Sequence, residues 1–314
     1  MTRRVVLAVN PQAGGGRATA AGAVADQRLR ARELDVVPVH GDTAQAQAAG
    51  VRQALADGAE ALVVVGGDGA VHLAVNLVAG TGCPLGIVPA GTGNDVARAL
   101  GLRLRDPAAA ADDVAEAIWS GRSRTVDAVR RLPDTPPADE VDTAARWFAG
   151  VLGAGFDALV NERANGWRWP RGHLRYDLAI LRELPVLRPR EYHLDLDGES
   201  WTVPAVMVVV ANTPSYGGGM RICPRARLDD GLLDVLVVAP LSRAAFLRIY
   251  PRVYAGRHLG DPRVTVRRAR RVSVRAPGIV AYADGERWGP LPLTVEVVPG
   301  ALRVLGPPTT NGPS

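Results

Sequence analysis

The chain has 314 residues, 47% hydrophobic and 22% charged, with a formal net charge of +5; that is room for two domains with cores, in an ordinary globular composition. All 37 basic residues are arginine, which excludes a P-loop lysine and with it a Walker-type NTPase. The two cysteines, Cys83 and Cys223, lack Cys-x-x-Cys spacing, which excludes a zinc cluster or disulfide scaffold and makes a reducing cytoplasm the expected compartment.

In chain order, Val5–Val9 is a short β-rich run ending in Asn10-Pro11. It is too short for a signal-peptide core and runs into the Gly14-Gly15-Gly16 turn, so it reads as a first strand. An Ala-rich helix to about Leu34, a strand Val36–Val39 and a helix Ala44–Asp57 follow. Next come the buried-strand pattern Ala61–Val65, the turn Gly66-Gly67-Asp68-Gly69 and a helical pattern Val71–Val78. A strand Leu85–Val88 leads into Pro89-Ala90-Gly91-Thr92-Gly93-Asn94-Asp95 and a helix from Val96, and Asp112–Ser120 forms another helix. Alternating strands and helices predict parallel βαβ units, with the glycine turns at strand C-terminal ends, where open α/β sheets bind ligands.

Past about Arg124 the texture changes to short β-rich runs: Arg146–Leu152, Tyr192–Leu196, Trp201–Val210, Leu233–Val238, Arg263–Val266, Arg271–Arg275 and Leu293–Val298. They predict an antiparallel sandwich interrupted by helices near Arg175–Leu184 and Arg243–Tyr254. The Pro- and acid-rich stretch Leu132–Asp142 reads as a mobile hairpin tip, and the tail Pro307–Ser314 as disordered. The longest apolar run, Val203–Ala211, falls far short of the ~20 residues that span a bilayer.

Glycines let the backbone approach a phosphate closely, and the unpaired N–H groups of a helix start face the anion. An acid in such a turn, Asp68, repels phosphate directly, and so points to work through a metal ion or as a base beside the transferred group. Asn10–Gly16 and Gly91–Asp95 repeat the strand–glycine turn–helix arrangement. The plainer reading of Asn94 and Asp95 is a helix N-cap, that of Asp229-Asp230-Gly231 a hairpin turn, and that of Arg98 a solvated helix face. The basic charge suits an anionic substrate or an acidic membrane surface. No basic stripe with interleaved aromatics accompanies it, so no nucleic-acid partner is expected.

NPxxGGG at Asn10–Gly16, GGDG at Gly66–Gly69 and PxGTGNDxAR at Pro89–Arg98 resemble the diacylglycerol kinase catalytic domain, of the superfamily that includes bacterial lipid kinases, sphingosine kinases and ceramide kinases. The resemblance continues in order through Gly153–Ala158, Asn212–Gly219, Pro224–Asp234 and Ala283–Glu286, nearly the whole chain. It implies a Rossmann-like α/β nucleotide domain (1–128), a β-sandwich lipid-substrate domain (129–298), and a last strand at about 299–306, with Leu302–Leu305 its candidate, returning to the first domain. It also implies an ATP-dependent lipid kinase, most simply one that makes phosphatidic acid from diacylglycerol.

By the same resemblance, Asn10, Pro11, Gly14, Gly15, Gly16, Gly66, Gly67, Asp68, Gly69, Gly91, Thr92, Gly93 and Asn94 form the nucleotide set, with Asp95 as support. Glu286, beside Asp284, matches the carboxylate assigned as proton acceptor; whether it or Asp68 takes the proton stays open. Arg227, Asp230 and Leu232 resemble a structural magnesium loop, with Asp230 giving a carboxylate and the other two backbone carbonyls, and ATP and Mg²⁺ are the implied cofactors. Arg98 is a candidate phosphate partner.

Two departures stand out: the family's GGDGT has Thr where this chain has Ala70, and the Thr after the second strand is not evident in Val39-His40-Gly41-Asp42-Thr43, where whether Thr43 replaces it stays open. The lost hydroxyl at Ala70 leaves a non-catalytic nucleotide- or lipid-binding relative as one alternative, and an NAD kinase, which shares GGDG and a related two-domain plan, as another. The stretch Asn165–Arg175, with Trp167, Arg168, Trp169, Arg171 and Arg175, predicts either a membrane-docking segment or a surface helix with Trp in the core. The expected setting is cytoplasmic and peripheral to a membrane, with a second copy of the chain as an open alternative partner.

Overall fold

The computed structural model describes residues 3–10, 13–133, 147–167 and 173–307. Pro11, Trp169, Arg168, Arg171, most of the predicted hairpin tip and the tail from 308 lie outside the described residues. The chain divides into two compact units, Met1–Val126 with Gly300–Ser314, and Asp127–Pro299.

In the first unit β1 (Arg4–Val9), α1 (Arg17–Ala31), β2 (Asp35–Val39), α2 (Ala44–Ala56), β3 (Ala61–Gly66), α3 (Asp68–Val78), β4 (Pro84–Pro89), α4 (Asp95–Ala99) and α5 (Pro107–Ser120) alternate as predicted. The strands are parallel in the order β2-β1-β3-β4. All six residues of β3 are buried, as a strand covered on both faces requires. Val5, Leu7, Val9, Val63 and Val65 share one core with residues of α1 and α5. Their alternates such as Val6 and Val64 are buried on the opposite face, because successive side chains point to opposite sides. Helix α5 starts at Pro107, five residues before the predicted Asp112: Asp106 caps it by accepting the Ala109 N–H at 2.9 Å, and proline suits the first turn.

The chain then runs through β5 (Arg124–Leu132), β6 (Trp147–Phe148), β7 (Val151–Gly155), α6 (Phe156–Gly166), α7 (His173–Glu183), β8 (Arg190–Leu196), β9 (Glu199–Ala205), β10 (Met207–Ala211), β11 (Leu233–Val238), α8 (Arg243–Val253), β12 (Val264–Ala269), β13 (Arg271–Arg275), β14 (Val280–Ala283), β15 (Glu286–Pro290) and β16 (Leu293–Leu305). Two antiparallel sheets build the second unit. One has β13 between β8 and the first half of β16, with β9 outside β8; the other runs β12-β11-β10-β7-β14-β15. Leu152, Val208, Val210 and Val235 from the second sheet meet Tyr192, Leu194, Val272 and Val295 from the first in one core, which makes the sandwich.

The predicted strand Trp201–Val210 is two strands in different sheets, separated at Val206. Its first half, β9, is an edge strand, where Pro204 costs no ladder hydrogen bond. Strand β5, helix α6 and the β14–β15 hairpin were not predicted as elements. The predicted Leu293–Val298 and Leu302–Leu305 are one strand, β16, whose last residues Arg303–Leu305 pair parallel with Pro84–Gly86 of β4. Among the described residues no helix is long and apolar enough to cross a membrane.

Candidate active site

In the first unit the three glycine turns follow the C-terminal ends of β1, β3 and β4. Asn10 is tied to the second of them: its N–H donates to Val65 O at 3.1 Å, and its carbonyl accepts from Ala13 at 3.1 Å. Gly14 and Gly15 lie in a short 3-10 turn, and Gly16, with φ 96°, caps α1. The GGDG turn breaks from β3 at Gly67, and the helix begins at Asp68, three residues before the predicted Val71. The backbone N–H groups of a helix's first turn lack an intrahelical partner, and the ends of parallel strands are where such folds bind ligands.

Asp68 joins two turns. Its Oδ2 accepts the Asn94 N–H at 2.8 Å and its Oδ1 the Asp95 N–H at 2.6 Å. The carboxylate thus caps α4 from 26 and 27 residues away, with the sign a helix N-terminus favours. Asn94 sits in the left-handed region at φ 55° and closes its own loop, accepting the Gly91 N–H and donating to Gly91 O, both at 3.0 Å. Arg98 donates to Gly93 O at 3.0 Å and lies 4.0 Å from Asp95 Oδ1, so it braces this turn. Thr92 is exposed at the tip, while Asn94 and Asp95 are buried.

The close approach explains two glycines. A Cβ on Gly91 would lie 2.4 Å from the Gly67 Cα, and one on Gly93 would lie 2.4 Å from Asp68 Oδ2. Residues 66–69 and 91–95 therefore form one interlocked cradle. Gly66 packs beneath it, where a Cβ would meet Ala70 Cβ at 2.5 Å. Thr43, the residue considered for the missing threonine, spends its hydroxyl accepting the Ala46 N–H at 3.1 Å as the cap of α2.

In the second unit Glu286 is exposed at the start of β15, in the tight turn from β14. Asp284, beside it at φ 52°, accepts the N–H groups of Ala149, Gly150 and Val151 at 2.9–3.1 Å. Three donors fix Asp284 as the anchor of the turn and leave its neighbour as the carboxylate presented to solvent.

Asp230 Oδ1 accepts the Leu232 N–H at 3.2 Å and Oδ2 pairs with the Arg268 guanidinium. Arg227 points its side chain at Asp229, 3.3 Å away. Asp127, which sequence reasoning passed over, holds this loop from β5: its Oδ2 accepts the Gly231 N–H at 2.8 Å and its N–H donates to Leu228 O at 2.6 Å. Asn212 donates to both Asp127 O and Ala149 O. A lone acid within the buried stretch Val126–Val129 was the signal for Asp127. Among the described residues no group of three or more His, Cys, Asp or Glu is arranged to hold a metal. The cation facing Asp230 in this structure is Arg268; Asp230 with the backbone carbonyls of Arg227 and Leu232 is the donor set that would hold magnesium. Burial pushes the Asp234 carboxyl up, against the opposing pull of Arg268.

Trp167 packs half-buried on the core of α6 and α7. Asp157, in the first turn of α6, is fully buried; burial pushes its carboxyl up to about 7 against the opposing amides of Ala158 and Asp157.

Residues 4–130 match the family model described as the diacylglycerol kinase catalytic domain, and residues 150–306 match the YegS C-terminal NAD kinase beta sandwich-like domain. A diacylglycerol kinase of Mycobacterium tuberculosis is 43% identical over 305 residues, 97% of this chain and 95% of that protein. A crystal structure of a diacylglycerol kinase from Bacillus anthracis superposes with a TM-score of 0.69 at 21% identity, covering 98% of this chain and 97% of that one. An NAD kinase of Archaeoglobus fulgidus in complex with ATP shares the fold more distantly, with a TM-score of 0.55 at 12% identity over 98% and 94% of the two chains. With its cradle turns inside the first matched region and the sandwich inside the second, the chain belongs to the diacylglycerol kinase family.

Proposed function

We propose that this protein transfers the γ-phosphate of ATP to the hydroxyl of a lipid, with diacylglycerol as acceptor and phosphatidic acid as product, at the surface of a membrane. The observation that carries the reading is the pair of hydrogen bonds that the Asp68 carboxylate accepts from the Asn94 and Asp95 amides, which joins two glycine turns into one cradle. Phosphoryl transfer asks the protein mainly to position groups and neutralise charge. The glycine turns supply backbone N–H groups, and Thr92 supplies an exposed hydroxyl. Magnesium, as the partner of ATP, would supply charge neutralisation for the transferred group.

In this reading Glu286 takes the proton of the acceptor hydroxyl, and Asp68 positions the cradle. Both Asp68 oxygens already accept backbone N–H groups, whereas Glu286 stands exposed on an anchored turn. The test is transfer of label from γ-labelled ATP into a lipid extract, into pure diacylglycerol and into NAD, beside Asp68→Ala. Label in phosphatidic acid that the substitution abolishes supports the proposal. Label in NAD alone, or nucleotide binding without transfer to any acceptor, overturns it.

A further inference from the structure

In the second unit, the outer face of β13, β8 and β9 carries a polar groove of about 780 Å³, within the roughly 300–1,000 Å³ of small-molecule sites. Tyr192, Leu194, Leu196, Val272 and Val274 belong to the sandwich core, so the residues that alternate with them stand on the opposite face. Leu194 is the one large apolar residue in the lining of the groove.

The strand register sets the outward residues in rows. Thr202, His193 and Arg275 lie side by side across β9, β8 and β13. Ser200, Asp195 and Ser273 form the next row. Residues directly opposed across antiparallel strands stand about 5 Å apart, and rows two residues apart along the strand are separated by about 7 Å. In a third row Arg271 faces Glu296, whose carboxylate Arg130 holds at 3.2 Å.

The acids of the groove are met by backbone. Asp197 accepts the N–H groups of Arg270 and Arg271 at 2.7–3.1 Å, and Asp195 Oδ1 accepts that of Gly198 at 3.0 Å. The exposed guanidinium groups of Arg271 and Arg275 have no partner among the described residues. His193 is held in place, with Nδ1 3.0 Å from Thr202 Oγ1 and Nε2 3.4 Å from Oε1 of Glu191, the preceding residue of the same face. Ser273 is braced by Thr294, hydroxyl to hydroxyl at 2.9 Å.

A hydroxyl, an imidazole and a free guanidinium in one acid-free row offer hydrogen bonds to a phosphoryl group. The row of hydroxyl, carboxylate and hydroxyl beside it both donates and accepts, as neighbouring alcohol groups require. The step of about 7 Å between the rows suits a phosphate and the ring alcohols of one sugar. We infer that this sheet face is a second ligand site, for a phosphate ester carrying alcohol groups, of the sugar phosphate class. The site is defined without the kinase reading and takes no residue from the glycine turns.

The experiment is isothermal titration of the full chain with glucose 6-phosphate, in the presence of a saturating non-hydrolysable ATP analogue that keeps the ester out of the glycine turns. Binding is expected, with glucose and inorganic phosphate each weaker by about tenfold or more. Arg275→Gln should weaken it by about 10- to 100-fold, the loss of one charged hydrogen-bonding partner. Ser200→Ala should weaken it less, and Arg252→Gln on α8 should bind as the parent does. All three side chains are exposed, so the thermal melt should stay in place. No binding of glucose 6-phosphate, unchanged binding by Arg275→Gln, or inorganic phosphate bound as tightly as the ester overturns the inference. An inositol phosphate headgroup carries the same chemistry, so vesicles with phosphatidylinositol 4-phosphate are added to the bound ester. Displacement assigns the site to a headgroup, and its absence to a soluble ester; both outcomes support the site. A chain that binds the ester and phosphorylates no lipid loses the kinase proposal and keeps this groove.

Discussion

At the scale of single residues, Asp68 of the first unit and Glu286 of the second are given different work in the proposed reaction. Replacing Asp68 by Asn keeps the size but turns one acceptor into a donor facing a backbone N–H. The expected cost is about 1–3 kcal/mol of stability in the first unit, from the stranded amide, with loss of nucleotide affinity; thermal melts with and without ATP check this. Glu286→Gln alters no hydrogen bond described here, so the melt should stay in place while kcat falls by about 10²–10⁴-fold, the range for a lost proton acceptor. A parallel fall in stability would reassign Glu286 to the scaffold. The sequence made both acids visible, because an acid among glycines at a strand end is chemically conspicuous. It could not show that Asp68 caps a helix 26 residues further on, since nothing local marks a long-range cap. Asp127 could be noticed as a lone acid in an apolar run, but its anchoring partner could not be read, because Gly231 lies 104 residues away. Nor could the sequence show Arg268 facing Asp230, because the two lie 38 residues apart.

Among the elements, α6 carries a measurable cost. Its Asp157 stays protonated in the folded protein up to about pH 7, while in the unfolded chain it ionises near pH 4. Between those values the unfolded state binds fewer protons, so stability falls as pH rises, by a few kcal/mol over the window. Asp157→Asn removes the titration. Its melting temperature should exceed the parent's increasingly from pH 4 to pH 7, with a constant difference above; a pH-independent difference would refute the assignment. The same crowding appears at Gly153 of β7, where a Cβ would lie 1.7 Å from Asp157 Oδ2. The sequence showed GAGFDA as a motif and not as a helix start, because Gly155 enters α6 at φ 141°, a conformation open to glycine and silent in any periodicity. It joined β9 to β10 because Trp201–Val210 is β-prone throughout, and only the sandwich decides that the first half serves one sheet and the second the other. The alternation in the first unit was legible because buried parallel strands are written as unbroken apolar runs.

For the molecule as a whole, the first unit is assembled from the beginning and the end of the sequence. Residues 300–314 belong with residues 1–126, and Arg303–Leu305 give β4 its outer neighbour. Ending the chain at Pro299 should strip that neighbour away, leave an open sheet edge beside the cradle strand, and lower the melt of the nucleotide unit; limited proteolysis with and without ATP would reveal it. An untouched first unit would show that the closing strand is dispensable. If it is not dispensable, timing follows. A ribosome releases β4 more than two hundred residues before its partner in β16, so the edge stays raw while the whole sandwich is being made. The nascent protein then carries its glycine turns on an unfinished sheet until Arg303–Leu305 pair with β4.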